Sequence, residues 1–402
     1  MKAIEVESNL IEVFEELKKN EHVYLIDILF KTNHLLYILY SFKQKQVLVY
    51  KMNIGAERID SLCELWKNAE IIESRLQKFN NVRFSINYRP HYKRLFCEEP
   101  YLSPNTEVSE GLYTTLIKNF DANKMSFKKI CLILKEIESN VSDKDQAVRM
   151  IFLEIERIFE NLEKIKKFFE YFDDISMLKE CDNAIDLISQ VRQQLDYSSA
   201  IDLSNNKDKL EVSLIGPLCL KILDSLEVVL KKLAYWDKQK VLHDFLSIPL
   251  YKKEDILSYS ITGQIAQVGG VNIDWRKLFN LYLYNQIESI NPISNLSTLK
   301  SFYSLLLQDL EASIKVIEQL ISNFPVSRNT DQVTSTIENE TRQIISVNDN
   351  SWGFDGCLFT IENGELIDYE LFGIEKYHAQ LSKTFKACQP QEYSFIYDQL
   401  IF

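Results

Sequence analysis

Cysteine and histidine side chains, the usual metal ligands and nucleophiles, are scattered along this 402-residue chain. The seven cysteines contain no CxxC pair, and the five histidines form no HExxH or similar spacing. An odd, unclustered set of cysteines is typical of buried thiols in a reducing compartment, not of a disulfide framework. The sequence therefore predicts no local metal site, and leaves open ligands that only folding brings together.

Two carboxylates, Glu154 and Glu156, lie on the most strongly periodic helical segment, residues 145–165. Their spacing of two residues places them on different helix faces, so they are not predicted to form an acid/base pair. Glu154 is expected to pair with Arg157 or Arg149 across a helical turn. Local sequence supplies no Ser/His/Asp or Cys/His arrangement either.

A glycine-rich stretch, YSITGQIAQVGGVNIDWRK at residues 259–277, contains three of the chain's ten glycines. It matches neither GxGxxG nor the GxxxxGK phosphate loop, and no strand-then-helix pattern surrounds it. The pattern therefore predicts a turn-rich connector in which Gly269 and Gly270 allow positive φ. A nucleotide-binding loop is the disfavoured alternative.

The net charge of −12 disfavours a nucleic-acid surface spread over the whole molecule. One basic segment, NYRPHYKRL, contains His91 and could contact an acidic partner or a phosphate, although a solvated loop is the plainer interpretation. No apolar run reaches the roughly 20 residues that a membrane span needs. The first twenty residues read as an amphipathic helix rather than a signal peptide, so a cytoplasmic location is expected.

These patterns predict an α+β fold in two domains. Residues 1–100 hold three runs rich in β-branched and aromatic residues, typical of an antiparallel meander, followed by a helical stretch over residues 57–79. Residues 101–402 are predicted to form mainly a helical bundle, with long helices at 145–165, 218–233 and 299–324. Residues 326–350 read as a surface loop, and Asn363-Gly364 predicts the turn of a short C-terminal β-hairpin.

Three parts of the chain resemble known subunits of respiratory enzymes. The segment after the predicted meander resembles the thirty-kilodalton subunit of respiratory NADH:quinone oxidoreductase (complex I) through Ser61, Leu65, Trp66, Ala69 and Glu73. The helix at 145–165 resembles one in the forty-nine-kilodalton subunit, and in the large subunit of membrane-bound nickel–iron hydrogenases, through Gln146, Arg149, Leu153, Glu154, Glu156, Arg157 and Leu162. The glycine-rich stretch resembles a turn of the same family through Thr262, Gly263, Gly270, Val271, Asp274, Arg276 and Lys277.

The resemblance implies a subunit in which the thirty- and forty-nine-kilodalton types are fused, in the peripheral arm of a membrane-bound, complex I-like assembly. Its partners would be an iron–sulfur subunit and antiporter-like membrane subunits, through which it would attach to the inner face of the membrane. One alternative function is a working quinone-reducing subunit, with quinone bound at a subunit interface near Tyr259, Arg276 or His91. A less favoured alternative is a free-standing binding module.

Departures from the family pattern imply that the redox site is degenerate. The two CxxC pairs that hold nickel and iron in hydrogenase large subunits have no counterpart here, so no cofactor is expected in this chain. Asn161 replaces the histidine of the signature helix, and Trp352 replaces an arginine before the C-terminal hairpin. The resemblance therefore implies a structural or coupling role, with iron–sulfur clusters in partner subunits.

Overall fold

A computed structural model describes most of the chain. The described residues are 3–6, 10–31, 33–55, 58–86, 112–121, 126–139, 141–171, 173–195, 197–202, 253–278, 280–288, 291–294, 296–323, 334–335, 342–350, 353–362 and 365–372, with six isolated positions between 217 and 231. The predicted helix at 218–233 and His91 therefore lie outside the continuously described residues.

The N-terminal part builds a four-stranded sheet within the described residues. Its elements are β1 (Ile4–Glu5), α1 (Leu10–Glu21), β2 (Val23–Lys31), β3 (His34–Ser41), β4 (Gln46–Asn53) and α2 (Ala69–Asn80). The strand order is β1-β4-β3-β2, in which β2, β3 and β4 are antiparallel neighbours and β1 is parallel to β4. The predicted meander is confirmed.

Alternation along the strands divides the sheet into two apolar faces, as the period of two requires. One face, with Leu25, Tyr37 and Leu39, packs in a cluster with Phe14 of α1 and with Trp66. The opposite face belongs to the same hydrophobic cluster as the long helices. Because both faces are buried, nearly every β2 side chain is apolar.

The outer edge of β2 is covered by side chains from α2 and the turn before it. Trp66 Nε1 donates to Val23 O at 3.2 Å, and Asn68 Nδ2 donates to Leu25 O at 2.9 Å. Arg75 Nη2 donates to Ile28 O at 2.9 Å. These bonds satisfy carbonyls that an edge strand would otherwise present for pairing with another chain.

The helix predicted over residues 57–79 begins only at Ala69, so the first half of that prediction is wrong. Ile59 instead forms a parallel bridge with Phe84, with Ile59 N donating to Arg83 O at 2.8 Å. The Glu73 carboxylate accepts from Leu62 N at 2.7 Å. Tertiary hydrogen bonds thus take the backbone groups that a helix would have used.

Helices dominate the middle of the chain. The next elements are α3 (Leu112–Asp121), α4 (Phe127–Ile137), β5 (Glu138–Ser139), α5 (Asp143–Tyr171), α6 (Ile175–Gln194), α7 (Tyr197–Ile201), α8 (Lys253–Ser258), α9 (Gly263–Val268), α10 (Trp275–Leu278) and α11 (Leu299–Asn323). The 29-residue α5 packs against both α6 and α11. Ser142 Oγ accepts from Asp145 N at 3.2 Å and caps the N-terminus of α5.

The C-terminal part is more strand-rich than the sequence pattern predicts. Two-residue β6 (Thr334–Ser335) pairs with β5, and β7 (Arg342–Asn350), β8 (Gly353–Glu362) and β9 (Glu365–Phe372) form an antiparallel sheet. The loop predicted for residues 326–350 is therefore wrong over β7. The predicted hairpin strands are present as β8 and β9, while its turn, Asn363-Gly364, lies outside the described residues.

Helix length and hydropathy also bear on membrane insertion. Among the helices that the structure describes, none combines the length and the apolar character required to cross a membrane.

Candidate functional site

A polar cavity lies between α5, α9, α11 and the segments that flank them. Its volume is about 90 Å³, several times the roughly 10–15 Å³ that one water molecule requires. Charged and amide side chains supply much of its wall: Glu154, Glu156, Arg157, Glu160, Asn161, Lys164, Gln264, Gln267, Asp274, Arg276, Asn291 and Asp309. Such a concentration of polar groups in a helical core identifies the cavity as the candidate site.

The glycine-rich stretch forms one wall of this cavity, and it is not the simple connector that the pattern predicts. Residues 263–268 are helical and buried. Gly263 and Gly270 have φ of 67° and 82°, whereas Gly269 has φ of −85°. Positive φ is therefore confirmed for Gly270 and wrong for Gly269, where a Cβ would instead overlap Ile256 Cδ1.

The start of α10 carries an ion cluster that reaches across to α5. Arg276 donates from Nε and Nη2 to the two carboxylate oxygens of Asp274, each at 3.0 Å. Its Nη1 donates to Glu154 Oε1 at 3.0 Å. Tyr284 OH donates to the same Glu154 oxygen at 2.6 Å, and its ring lies 5.2 Å from the Arg276 guanidinium carbon.

This cluster keeps its carboxylates ionised. Burial alone would raise the pKa of Glu154, but Arg276 and Arg157 hold that pKa below its usual value. Asp274 is partly buried, and Arg276 lowers the pKa of its carboxyl through charge and hydrogen bonds. Burial raises the pKa of the Tyr284 hydroxyl, so this tyrosine stays a neutral donor to Glu154.

A second polar cluster joins α5, α9 and α11. Arg157 Nη2 donates to Asp309 Oδ1 at 2.7 Å. Gln264 Nε2 donates to Asp309 Oδ2 at 2.7 Å and to Asn161 Oδ1 at 2.9 Å. Lys164 Nζ donates to Gln264 Oε1 at 3.1 Å, and burial lowers the pKa of Lys164 to about 8.

Glu154 forms no direct ion pair with Arg149 or Arg157, so the contact predicted across a helical turn is wrong, although the charge of Arg157 helps to lower the pKa of Glu154. Each arginine instead has a carboxylate from a distant segment: Arg157 pairs with Asp309, and Arg149 forms a bidentate pair with Glu138. Arg149 also donates to Ala200 O at 2.8 Å. Tertiary packing brings these charges together and overrides the spacing rule for neighbours on one helix.

The two carboxylates of α5 have separate partners. Glu156 accepts from Arg192 Nε at 2.8 Å and from Tyr197 OH at 2.5 Å. Glu154 is held by Arg276 and Tyr284. The two groups therefore do not form an acid/base pair, which confirms the prediction from their spacing.

The structure places two of the three predicted quinone-region residues. Arg276 lines the cavity. Tyr259 is half-buried just before α9, with Lys67 Nζ 5.5 Å from the centre of its ring, and is not among the described cavity-lining residues. His91 lies outside the described residues, as does Trp352, so neither prediction is tested.

Sequence reasoning missed the cavity residues Lys164, Gln264 and Asp309. The sequence could have revealed such residues only as polar side chains at apolar positions of a helix. Asp309, for example, follows three leucines and a glutamine in α11, and the structure shows it fully buried. The period of α5 likewise places Lys164 beside buried Ile165. No spacing rule connects three residues on three different helices.

The thiols of Cys131 and Cys181 are buried, and burial raises the pKa of each to about 12. Cys131 therefore acts as a small apolar side chain in the core. The side chain of Cys357 lies outside the described residues. Across the described residues, no three or more His, Cys, Asp or Glu side chains group so as to hold a metal ion.

Comparison with known proteins links the cavity segment to a respiratory family. Residues 221–356 match the family model "Respiratory-chain NADH dehydrogenase, 49 Kd subunit". The matched span includes α9, α10 and α11, which form much of the cavity wall. It covers about a third of the chain, so the resemblance of this part to that subunit is supported, and a fusion to a thirty-kilodalton-type unit is not tested.

Similar curated proteins are the D subunits of NADH-quinone oxidoreductases. The chain is 31% identical over 78 residues to that of Bacillus cereus, which is 19% of this chain and 21% of the relative. It is 30% identical over 112 residues to a relative of the same kind from Opitutus terrae, which is 28% of this chain and 26% of the relative. The chain thus matches only about a quarter of the length of these relatives.

One solved structure shares the fold over a longer span. It is a chain from the membrane-bound sulfane sulfur reductase, described as an archaeal respiratory membrane complex. The TM-score is 0.53 at 17% identity, covering 65% of this chain and 74% of the other. The likeness supports a mixed helix-and-sheet fold of this kind, and at this identity it concerns the fold alone.

Proposed function

We propose that this chain is a subunit of the peripheral arm of a membrane-bound, complex I-like respiratory assembly. In this role it has a structural or coupling function and carries no redox centre of its own. The observation that carries the proposal is the agreement of two independent similarities, the family match over residues 221–356 and the fold shared with a respiratory membrane complex chain.

The buried ion clusters support a coupling role. Arg276 joins α10 to Glu154 of α5, and Asp309 joins α11 to Arg157 of α5. A buried ion pair adds little net stability compared with an apolar pair, but it fixes one arrangement of the segments that carry it. A structural change at one wall of the cavity would therefore alter the ion pairs that position the helices on the other walls.

The absence of both hydrogenase CxxC pairs from the sequence supports the proposal that electrons are carried elsewhere. Iron–sulfur clusters would belong to a partner subunit, and antiporter-like membrane subunits would hold the chain at the inner face of the membrane. Residues 1–100 would act as the thirty-kilodalton-type unit of a fused subunit, and residues 101–402 as its forty-nine-kilodalton-type unit.

The test is affinity purification of the tagged full-length chain from mild-detergent membrane extracts, with metal analysis of the same sample. The expected result is co-purification of iron–sulfur and integral membrane subunits, with iron present and nickel absent. The control is the same tagged chain with Arg149→Met, which loses the buried pair with Glu138. It shows which proteins co-purify when the native fold is disrupted. A partnerless, metal-free wild-type monomer, or stoichiometric nickel, would contradict the proposal.

A second candidate function is quinone reduction at the cavity. It is favoured by the position of Arg276 on the cavity wall. All three guanidinium nitrogens of Arg276 already donate to Asp274 or Glu154, so its role would be to position these carboxylates around a bound quinone. Tyr259, which does not line the described cavity, and His91 would contact the quinone from outside the cavity wall.

This alternative is tested by quinone-reduction assays on the purified assembly containing Arg276→Lys, which keeps the charge, or Arg276→Met. A working site would lose turnover in the Arg276→Met variant and retain part of it in the Arg276→Lys variant. Unchanged turnover in both, with the assembly intact, would leave only the structural role.

A further inference from the structure

Lys164 stands out among the cavity residues because its ammonium group is buried in the helical core. The residue is 9% exposed and lines the cavity. Its Nζ donates to the neutral amide oxygen of Gln264 at 3.1 Å.

Charged groups on several elements act on this ammonium group. Glu160, one turn earlier on α5, and Asp309 of α11 favour the protonated form. Lys128 of α4 and Arg157 of α5 oppose it. Burial outweighs the attraction of the two carboxylates, so the proton is held weakly for a lysine.

The charges in the two joined clusters balance only when Lys164 carries its proton. Three carboxylates, Glu154, Asp274 and Asp309, face two guanidinium groups, Arg157 and Arg276. The Lys164 ammonium supplies the third positive charge. Its deprotonation leaves one excess negative charge in a largely buried site, where charge interactions are stronger than in water.

Gln264 connects this titrating group to the rest of the network. Its Oε1 accepts from Lys164, and its Nε2 donates to Asn161 and to Asp309. Asp309 is held in turn by Arg157. One side chain on α9 therefore contacts the proton-bearing group on α5 and the carboxylate on α11.

We propose that the cavity is a proton-binding site, in which Lys164 gains and loses the proton and Gln264 transmits the change in charge to Asp309 of α11. The step is Lys–NH₃⁺ to Lys–NH₂ with release of one proton to water in the cavity, and it is reversible. The inference rests on the proposed coupling function, because it names the group through which the cavity would respond to proton supply.

The sign of the pH dependence follows from the lowered pKa. Folded Lys164 releases its proton near pH 8, whereas an unperturbed lysine does so near 10.5. Between these values the unfolded chain binds more protons, so this group makes the free energy of unfolding rise with pH. Below about pH 8 its contribution is lowest and constant.

The test is a ¹³C NMR titration of the isolated full-length chain labelled at the lysine ε-carbons. We expect one lysine to titrate with a midpoint near pH 8, and its signal to be missing in Lys164→Met and Lys164→Arg. The matched control is Lys166→Met, on the same helix, because the pKa of Lys166 is raised by its contact with Asp182 at 2.7 Å. The control should retain the pH 8 transition.

Transmission through Gln264 is measured in the same sample. Its side-chain amide signal should shift with the midpoint of Lys164 in the wild type and in Lys166→Met, and should stay constant across pH 8 in Lys164→Arg. Gln264→Leu should keep a titrating lysine but move its midpoint.

Several outcomes would overturn the inference. If no lysine of the wild-type chain titrates below pH 9, the proposal is wrong whether or not the variants fold. It is also wrong if the signal lost in Lys164→Arg titrates with the ordinary lysines. The titration uses the isolated chain, so its result does not depend on partner subunits. If Lys164 titrates as expected but the affinity purification recovers no partner subunits, only the respiratory-assembly proposal is refuted.

Discussion

The N-terminal sheet and the cavity of the helical part both bury polar side chains, but these side chains have different partners. In the sheet, Trp66, Asn68 and Arg75 donate to backbone carbonyls along the edge of β2. Around the cavity, side chains such as Glu154 and Arg276 bond mainly to one another. Hydrogen bonds from side chains to the edge carbonyls prevent further strand pairing and so serve the fold alone. The charged side chains around the cavity, in contrast, can change their protonation and their partners.

The largest effect is expected from breaking a buried ion pair of the helical part. Arg149→Met removes both bonds to Glu138 and leaves that carboxylate, whose side chain is fully buried, without its counter-charge. We expect a loss of about 3–5 kcal/mol in the free energy of unfolding. Urea denaturation followed by circular dichroism measures this loss.

Lys166→Met is the control for that measurement, because Lys166 lies on the same helix with a solvent-accessible pair to Asp182. Exposed pairs contribute about 0–1 kcal/mol. Equal losses in the two variants would mean that the Arg149 pair is reached by water and that the helical network does not differ energetically from the surface.

A smaller effect is expected at the sheet edge. Asn68→Ala removes the buried side-chain donor to Leu25 O, so that this carbonyl of the edge strand loses one hydrogen bond. We expect a loss of about 1–3 kcal/mol and more aggregation on heating, since the edge can then pair with another chain. Asn80→Ala, at an exposed position of the following helix, is the control for urea denaturation and light scattering. A similar small loss in both would show that the Asn68 bond does not protect the edge.

Sequence patterns predicted the elements of both regions better than their contacts. The strands β2 to β4 and the helices α5 and α11 follow directly from apolar periodicity. The strand β7 was missed because its sequence is polar and pairs through its backbone with β8. The pair of Arg276 with Glu154 joins residues 122 positions apart, so no local rule could have found it.

The cavity wall depends on backbone conformations that favour glycine. Gly270→Ala places a Cβ on a residue with φ of 82°, and we expect a loss of about 1–2 kcal/mol in the free energy of unfolding. Gly270→Asn should lose less, because asparagine tolerates left-handed backbone better than alanine. Thermal unfolding of the two variants compares them, and equal stability of Gly270→Ala and wild type would contradict the need for glycine here.

The smallest expected effect tests the contact that joins the two regions. Lys67, in the turn before α2, donates its backbone N–H to Ser258 O at 3.1 Å and places its ammonium 5.5 Å from the centre of the Tyr259 ring, next to the cavity segment. A double-mutant cycle with Lys67→Met and Tyr259→Leu should give a coupling energy of about 0.5–1 kcal/mol. Lys67→Arg should keep it, because the guanidinium also stacks on an aromatic ring. A coupling energy of zero would mean that the sheet unit holds the cavity segment through the backbone bond and apolar packing alone, so that the side chains of the two regions act independently.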